Sequence, residues 1–394
     1  MPERFGVYIH IPYCIQRCTY CDFATYVHSE IKPPEHYVSL VKKEIFNKRN
    51  LFPGRVLDTI YFGGGTPSLI AAEFIVELIS ELAKFGYVTG PQTEITLEIN
   101  PATVDEKKLE IYLKAGVNRF SVGAQSFSDR LLKMVNREHN AAQTLHTLQL
   151  LKRYSLNFSF DVLFALPTQT LEELRYDVQV ALELGSKHVS PYCLTVPEAH
   201  PLSKNRPPDE EQLEMFNIIH QELTKKSFAR YEISNYSLPG YESKHNLLYW
   251  TDQEYWGLGL SAHSYIKNTR WGSRFSNQNS YELYSKQTEN EGPLLGLQDY
   301  ASGQIEHLEK HQALTDFCYT SLRLGAGLSF DALEHKFGTN TLAAVANIAQ
   351  PMIERKLLSE RNKHFVLTDA GIVISNQIFE RFTFLKNDLP SNDY

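Results

Sequence analysis

Three cysteines near the amino terminus constrain this chain more than any other feature. Cys14, Cys18 and Cys21 follow the pattern C-x3-C-x2-C. On a tight loop this spacing points three thiolates at one centre, and thiolate is the soft ligand that iron–sulfur clusters require. The spacing therefore predicts a [4Fe–4S] cluster held by three protein ligands, with one iron left open for a small molecule.

Two other interpretations of the cysteines are a zinc knuckle and disulfide bonds. Structural zinc takes four protein ligands, and His10 lies before the loop on a predicted strand. Disulfides are typical of oxidising compartments, whereas five cysteines in 394 residues without a signal peptide are ordinary for a cytoplasmic protein. Both interpretations fit less well than the cluster.

Short β-rich runs alternate with longer segments of helical period, which predicts βαβ units and a parallel sheet. One such helical segment is Ile70–Phe85, whose apolar residues recur at helical spacing. The α/β pattern predicts a partial (β/α)6 barrel of the TIM type. Its six predicted strands are Phe5–Ile11, Val56–Phe62, Glu94–Ile99, Asn118–Gly123, Asn157–Leu163 and His188–Leu194.

Glycine-rich or polar residues follow these strands where each strand ends. In a β/α barrel, that face carries the active site. A glycine run alone is most often a tight turn, and a lone carboxylate at a strand end often caps a helix. Several such features in register favour a shared site. They comprise the cysteine loop, Gly63–Ser68, Glu98, Gln125 and Asp161.

The cysteine pattern, with the aromatic Tyr20 directly before the last cysteine, resembles the radical S-adenosylmethionine (SAM) enzymes. In that family SAM chelates the open iron of the cluster. The strings YIHIP, GGGTPS, ExNP and GxQSF further resemble the oxygen-independent coproporphyrinogen III oxidase family. This resemblance implies that SAM is held by Tyr8, Tyr20, Gly64, Gly65, Thr66, Glu98, Gln125, Arg137 and Asp161.

Two places in the sequence bear on the reaction. The oxidase carries a fourth cysteine two residues after the third, and this chain has Phe23 there. The string His245-Asn-Leu-Leu-Tyr249-Trp250 resembles the signature of the heme chaperone branch. The resemblance implies that His245 ligates heme iron, with the two aromatic rings against the porphyrin; His263 is the alternative ligand. A histidine beside aromatic residues is otherwise more often a hydrogen-bonded core residue.

The carboxyl-terminal part has a different pattern, which divides the chain into residues 1–290 and residues 291–394. Helices followed by a hairpin, around Leu357 to Gly371, resemble a small α+β winged-helix module. Residues 301–394 hold 9 Lys or Arg and 11 Asp or Glu, a net charge of −2. A helix that reads DNA should lie on a basic face, so we expect a covering or docking domain.

Net charge and hydropathy limit the partners. The formal charge of −7 argues against nucleic acid as the main partner, and no apolar run is long enough for a transmembrane segment.

We expect a cytoplasmic heme chaperone that carries the cluster and SAM and meets heme-accepting proteins and an electron donor. A homodimer and peripheral membrane association through those partners are left open. The alternatives are the oxidase itself, which decarboxylates propionates by radical chemistry, and a radical SAM enzyme that modifies RNA or protein.

Overall fold

The computed structural model describes residues 3–300 and 305–389. Within these ranges the strands are β1 (Phe5–Ile11), β2 (Tyr13–Cys14), β3 (Tyr26–Val27), β4 (Val56–Gly64), β5 (Val88–Ile99), β6 (Arg119–Gln125), β7 (Asn157–Phe164), β8 (His188–Cys193), β9 (Ala229–Glu232), β10 (Asn235–Ser237), β11 (Glu254–Leu258), β12 (His263–Ile266), β13 (Ser273–Ser276), β14 (Ile305–His307), β15 (Leu328–Ser329), β16 (Leu358–Arg361) and β17 (His364–Leu367). All six predicted strands are present.

The α-helices cover the sheet and form most of the carboxyl-terminal part. They are α1 (Pro34–Lys48), α2 (Ala72–Lys84), α3 (Glu106–Lys114), α4 (Asp129–Met134), α5 (Ala141–Arg153), α6 (Leu171–Glu183), α7 (Asp209–Thr224), α8 (Lys244–Trp250), α9 (Tyr281–Asn290), α10 (Lys310–Arg323), α11 (Phe330–Phe337), α12 (Thr339–Glu354), α13 (Asp369–Val373) and α14 (Ser375–Arg381). The predicted amphipathic segment is α2, which buries Ile75, Leu78 and Leu82 along one stripe.

Capping residues explain where several barrel helices begin. Asn140 and Gln143 form a capping box at the start of α5, and Thr170 and Glu173 form another at the start of α6. Each box satisfies amide groups that the first helical turn leaves without partners. Both helices therefore begin directly after a barrel-edge loop, at a defined distance from the strand ends.

The main sheet has a parallel centre with antiparallel edges. Its order is β14-β13-β12-β11-β1-β4-β5-β6-β7-β8-β10-β9, and every pairing from β11 to β8 is parallel. The six predicted strands are therefore adjacent, in sequence order. β11 adds a seventh parallel strand that the sequence pattern did not predict, and no pairing between the described strands closes the sheet into a full barrel.

The molecule has two main hydrophobic cores. The larger core holds the barrel strands and continues through Leu294 to Tyr300. The second core begins with Tyr265 and Leu308 and continues to Leu389. It packs α10, α11 and α12 against the small sheet β15-β17-β16, in the helix-then-hairpin order expected of a winged-helix-like module. Among the described helices, none combines the length and the apolar character that crossing a membrane demands.

Candidate functional site

The cysteine loop follows β1 and lies between β2 and β3, which form a separate two-stranded sheet. β2 and β3 pair in parallel, and the amide of His28 donates to the carbonyl of Cys14 at 2.8 Å. The Cys21 amide donates to the Cys18 carbonyl at 3.2 Å, which tightens the turn between these two ligand candidates. Burial raises the pKa of the Cys14 thiol to about 11, and the nearby thiols of Cys21 and Cys18 add to this rise. A cation at this loop would reverse that effect, because coordination deprotonates a thiol.

The loop is docked on the segment that carries Arg137. The Thr19 amide donates to the Val135 carbonyl at 3.2 Å, and the Asn136 side chain donates to the Arg17 carbonyl at 2.7 Å. The Arg137 guanidinium then lies 3.4 Å from the Cys18 sulfur. Two segments more than a hundred residues apart are thereby held together at the site.

Glycines after β4 allow the backbone to approach the cysteine loop. The Gly65 amide donates to the Ile11 carbonyl at 2.8 Å, and a Cβ at Gly65 would lie 3.0 Å from the Cys14 sulfur. Gly64 has a φ of 113°, and a Cβ there would collide with the His10 ring at 2.5 Å. Only glycine fits both positions without displacing the loop.

Glu98 lies at the end of β5 and faces two donors. Its carboxylate accepts a hydrogen bond from the Tyr61 hydroxyl at 2.8 Å and another from the Gly64 amide at 3.1 Å. Burial raises the pKa of Glu98 to about 7, and the neighbouring Asp161 adds to the rise. The same cause raises the pKa of Asp161 to about 6. The site therefore holds two carboxyl groups whose charge a bound cation would stabilise.

Gln125 and Arg137 reach the site through irregular backbone. β6 shifts its register against β7 between Val122 and Gln125, and Gln125 has a φ of 68°. This bulge turns the glutamine toward the strand ends. The Arg137 guanidinium donates to the Gly123 carbonyl, while its Nε has no partner among the described residues. An unpaired buried N–H is costly unless a ligand accepts from it.

A cavity of about 440 Å³ joins these groups at the carboxyl ends of the barrel strands. Eleven of the thirteen predicted site residues line it: Cys14, Cys18, Tyr20, Cys21, Gly64, Gly65, Thr66, Glu98, Gln125, Arg137 and Asp161. Tyr8 does not line it, but lies behind the site with its hydroxyl 3.1 Å from His10 and its ring stacked on Tyr61. His245 does not line it either.

The sequence analysis missed several lining residues, of which Arg119 is the clearest. Arg119 is only 2% exposed at the start of β6, and its Nε has no partner among the described residues. Tyr61, His188 and Asn246 also line the cavity. The available signal for Arg119 was an arginine at the start of a strand with no other charged residue, because a buried arginine normally meets an anion.

His245 is a residue of α8, and its side chain is buried against β4. Its Nδ1 lies 2.6 Å from the Thr59 hydroxyl and its Nε2 lies 2.8 Å from the Tyr249 hydroxyl. Its ring stacks on Tyr61 at a centroid distance of 5.0 Å. Burial lowers the pKa of His245 to about 3, so the ring is neutral at physiological pH. Both ring nitrogens are occupied by protein partners in this arrangement.

The donor set of the 440 Å³ cavity fits an iron–sulfur cluster with SAM beside it. Among the described residues, no three His, Cys, Asp or Glu side chains form a site for a single metal ion. A [4Fe–4S] cluster needs no such site, because its three thiolates surround one cluster but each binds a different iron. The three thiols line one end of the cavity with the glycine segment against them. The lining also holds the carboxyl groups of Glu98 and Asp161. The guanidinium groups of Arg119 and Arg137, whose Nε atoms are unused, lie there as well, and these opposite charges suit a zwitterionic ligand.

Two family models match the sequence. The model of the radical SAM superfamily matches residues 8–181, and the model of the HemN C-terminal domain matches residues 308–374. The first match contains the cysteine loop and the ends of β4 to β7, and the second contains most of the second core.

Curated relatives and one solved structure match over nearly the whole chain. The chain is 31% identical to the heme chaperone HemW of Lactococcus lactis, over 96% of this chain and 97% of the relative. It is 31% identical to HemW of Bacillus subtilis, over 96% and 98%. The E. coli coproporphyrinogen III oxidase HemN superposes with a TM-score of 0.80 at 20% identity, covering 97% of this chain and 90% of that chain. This likeness shows a common fold.

Proposed function

The chain belongs to the heme chaperone HemW family, within the radical SAM superfamily, and on that premise we propose that it binds heme and delivers it to heme-accepting proteins. The observation that carries the proposal is the match to HemW relatives over 96% of the chain. It includes both the cluster loop and the carboxyl-terminal domain. The protein would carry a [4Fe–4S] cluster and SAM while performing this role.

We assign the cluster to the cysteine loop. Cys14, Cys18 and Cys21 would each bind one iron, and the close approach of Gly65 to Cys14 supports this placement. Arg137, beside the Cys18 sulfur, would stabilise the negative charge of the thiolates. When bound, the cluster and SAM supply one-electron chemistry at the fourth iron.

We assign SAM to the remainder of the same cavity. Glu98 and the backbone at Gly64, Gly65 and Thr66 would bind the amino group, and Arg137 would bind the carboxylate through its unused Nε. Asp161 would accept from a ribose hydroxyl or stabilise the sulfonium charge, and Gln125 and Tyr20 would line the adenosyl part. Tyr8 would contribute indirectly: its ring stacks on Tyr61, and the Tyr61 hydroxyl orients Glu98 by a hydrogen bond.

We propose that α8 carries the heme-binding function, with His245 as the leading candidate for the iron ligand. Ligation through Nε2 requires that this nitrogen exchange its hydrogen bond with Tyr249 for the iron. A neutral imidazole is the ligating form, and the lowered pKa of His245 keeps it neutral. His263, which is exposed on β12, remains the alternative.

Partners beyond heme stay predictions. An electron donor for the cluster follows from the expected redox chemistry, and heme-accepting proteins follow from the chaperone role. A homodimer and a peripheral membrane contact also remain expectations from the sequence.

The oxidase function is the second candidate, because the HemN fold superposes with a TM-score of 0.80. Phe23 weighs against it. This side chain is 66% exposed and lines the 440 Å³ cavity, where the resemblance places the oxidase's fourth cysteine. An apolar ring there cannot bind metal or exchange a proton.

The deciding experiment is anaerobic reconstitution with iron and sulfide, followed by two parallel assays. We expect heme retention, measured by its Soret absorbance after gel filtration, and no conversion of coproporphyrinogen III in the presence of SAM and a reductant. Turnover of coproporphyrinogen III with SAM consumption would replace the chaperone proposal by the oxidase. Failure to retain heme would also overturn the proposal.

A further inference from the structure

A second cavity, of about 760 Å³, lies between α8 and the carboxyl-terminal domain. Its volume is within the range of pockets that enclose a small organic ligand. We propose that this cavity is the porphyrin site, an inference that rests on the proposed heme-binding function. The occupant to which the structure points is an iron porphyrin with free propionate groups.

Aromatic rings from both parts of the molecule bound this cavity. The barrel side contributes Tyr249 and Trp250 from α8, together with Tyr255 and Tyr265. Phe317, Tyr319 and Phe379 come from α10 and α14 of the second domain. A porphyrin is a flat, conjugated apolar disc, and aromatic side chains bind such a surface by stacking and edge contacts.

The cavity also offers donors suited to propionate carboxylates. Trp250 Nε1 and Arg323 Nε are buried without hydrogen-bond partners among the described residues. The two groups are adjacent, since the Arg323 guanidinium lies 4.6 Å from the centre of the Trp250 ring. Buried donors without partners carry a free-energy cost that an anionic acceptor removes.

The charged groups around the cavity are mostly paired already. Arg274 binds Asp316 at 2.7 Å and Lys336 binds Asp252 at 2.7 Å, while Arg323 also contacts Glu232 at 3.3 Å. The exposed Glu380 also lines the cavity, so three cationic and three anionic side chains line it and its formal charges balance. Selectivity for propionates would therefore come from the two unused N–H donors rather than from net positive charge.

α8 separates this cavity from the cavity of the cysteines. Asn246 lines the 440 Å³ cavity, whereas Tyr249 and Trp250 line the second one. His245 lies behind Tyr249, whose hydroxyl contacts its Nε2. Residues between His245 and Trp250 thus line both cavities. His245, the leading candidate for the iron ligand, is hydrogen-bonded to Tyr249, which lines the proposed porphyrin site. Because the cluster and SAM share the first cavity, the second is free for heme.

The inference is tested by filling the cavity from two lining positions while keeping its aromatic rings and its two unused N–H donors. Asn376 is exposed and lines the cavity on α14, and Thr320 lines it on α10. We expect Asn376→Trp and Thr320→Trp each to lower the affinity for hemin at least tenfold in a Soret titration of the reconstituted protein. The matched control is Asn340→Trp, since Asn340 is exposed on α12 in the same domain and does not line the cavity.

The propionate contact is tested by Trp250→Phe, which keeps the ring stacking and removes Nε1. We expect hemin to bind about tenfold more weakly, because one hydrogen bond to a charged group is lost. The affinity for hemin dimethyl ester should not change. Equal loss for the two porphyrins would overturn the propionate assignment.

The outcomes separate this inference from the chaperone proposal. If the wild type binds hemin and both filling variants bind it like the Asn340→Trp control, the porphyrin site lies elsewhere while the heme-binding function stands. If the wild type itself does not bind hemin, the proposed function fails first. Iron content and SAM binding should be unchanged in every variant, which shows that the first cavity is intact.

Discussion

At the scale of single residues, Glu98 is the side chain whose charge depends most directly on a ligand. Its two oxygens accept from Tyr61 and Gly64, yet burial raises its pKa to about 7. A carboxylate held this way is poorly stabilised until a cation arrives. The amino group of SAM has the charge that this site lacks.

Replacing Glu98 by alanine should weaken SAM binding by about 1–3 kcal/mol, the cost of leaving a buried charged group without its partner. Isothermal titration of the reconstituted protein measures the change. Thr89→Ala is the control, since Thr89 is exposed on the same strand and outside the cavity. Unchanged SAM affinity in the Glu98 variant would refute its assignment to the amino group.

The raised pKa of Glu98 also predicts a pH dependence of stability in the unliganded protein. Between pH 4.5 and about 7 the folded state holds this proton while the unfolded state has lost it. The free energy of unfolding therefore decreases as pH rises through this window. Glu98→Gln should remove this contribution. We therefore expect the free energy of unfolding of the variant, relative to that of the wild type, to increase by about 1–3 kcal/mol from pH 5 to pH 7.5. Urea unfolding at both pH values provides the measurement, and a constant difference would contradict the shift.

The cysteines give a sharper test, because each one is expected to hold a separate iron. Changing Cys14, Cys18 or Cys21 to alanine should abolish most of the cluster absorbance and lower the iron bound per chain after reconstitution. Cys193→Ala is the control, because this exposed thiol lines the same cavity outside the loop. Retention of a full cluster after loss of Cys18 would refute the ligand assignment.

At the scale of elements, α1 carries a buried ion pair whose two members also bind residues of other elements. Lys48 binds Glu44 at 3.0 Å, and both side chains are almost completely buried. Glu44 also accepts from the Tyr284 hydroxyl and the Gly259 amide, and Lys48 donates to Asn277. The network connects α1 with α9 and with the loops around β12 and β13, through side chains and the backbone amide of Gly259.

Removing one member of this pair leaves a buried charge behind. We expect Lys48→Met to lower the free energy of unfolding by about 3–5 kcal/mol. Lys363→Met should change it by about 0–1 kcal/mol, since the Lys363–Asp331 pair is exposed on both sides. Urea unfolding of the two variants compares them directly, and equal stabilities would show that the Glu44 network does not depend on the lysine.

α8 is the element on which heme ligation depends. If His245 ligates the iron, His245→Ala should shift the visible spectrum of bound heme or lower its occupancy. Tyr249→Phe should retain the spectrum, because it frees Nε2 from its hydrogen bond. Cluster absorbance and SAM binding serve as internal controls in both variants. An unaltered spectrum in His245→Ala would make His263 the next candidate, and a changed spectrum in Tyr249→Phe alone would identify the phenol oxygen as the ligand.

At the scale of the whole molecule, the two cores do not use the cluster ligands. Cys14, Cys18 and Cys21 belong to neither core, and the loop is fixed by backbone hydrogen bonds and its contact with the Arg137 segment. The cores and the sheet therefore supply the stability of the fold, whereas the loop is ordered by its own hydrogen bonds and by its contact with the Arg137 segment.

Removing the cluster by oxidation and chelation should leave the helical circular dichroism unchanged. Amide hydrogen exchange should accelerate in residues 14–25, while the amides of β4 to β7 remain protected. A cooperative loss of protection in the barrel strands would contradict this independence. Rebuilding the cluster should restore the slow exchange of the loop, which separates cluster loss from irreversible damage.

The sequence alone determined the order of strands and the face on which the first site lies. β-rich runs and helical periodicity are local, so they marked the six predicted strands. Parallel strands then bring Gly64, Glu98, Gln125 and Asp161 to one edge whatever the details of packing. The cysteine spacing is local as well, and it placed the loop at that edge.

Only the tertiary structure decided what depends on distant segments. β11 joined the parallel sheet because β1 offered it an edge, which no local pattern encodes. Arg119 became part of the first cavity through the neighbours around β6, and Tyr8 was turned away from that cavity to support Tyr61. His245 came to lie with both nitrogens bonded, and the second cavity formed where α8 meets a domain that begins some sixty residues later. Such contacts depend on how separate elements pack, whereas periodicity and spacing report only on residues that are near in the chain.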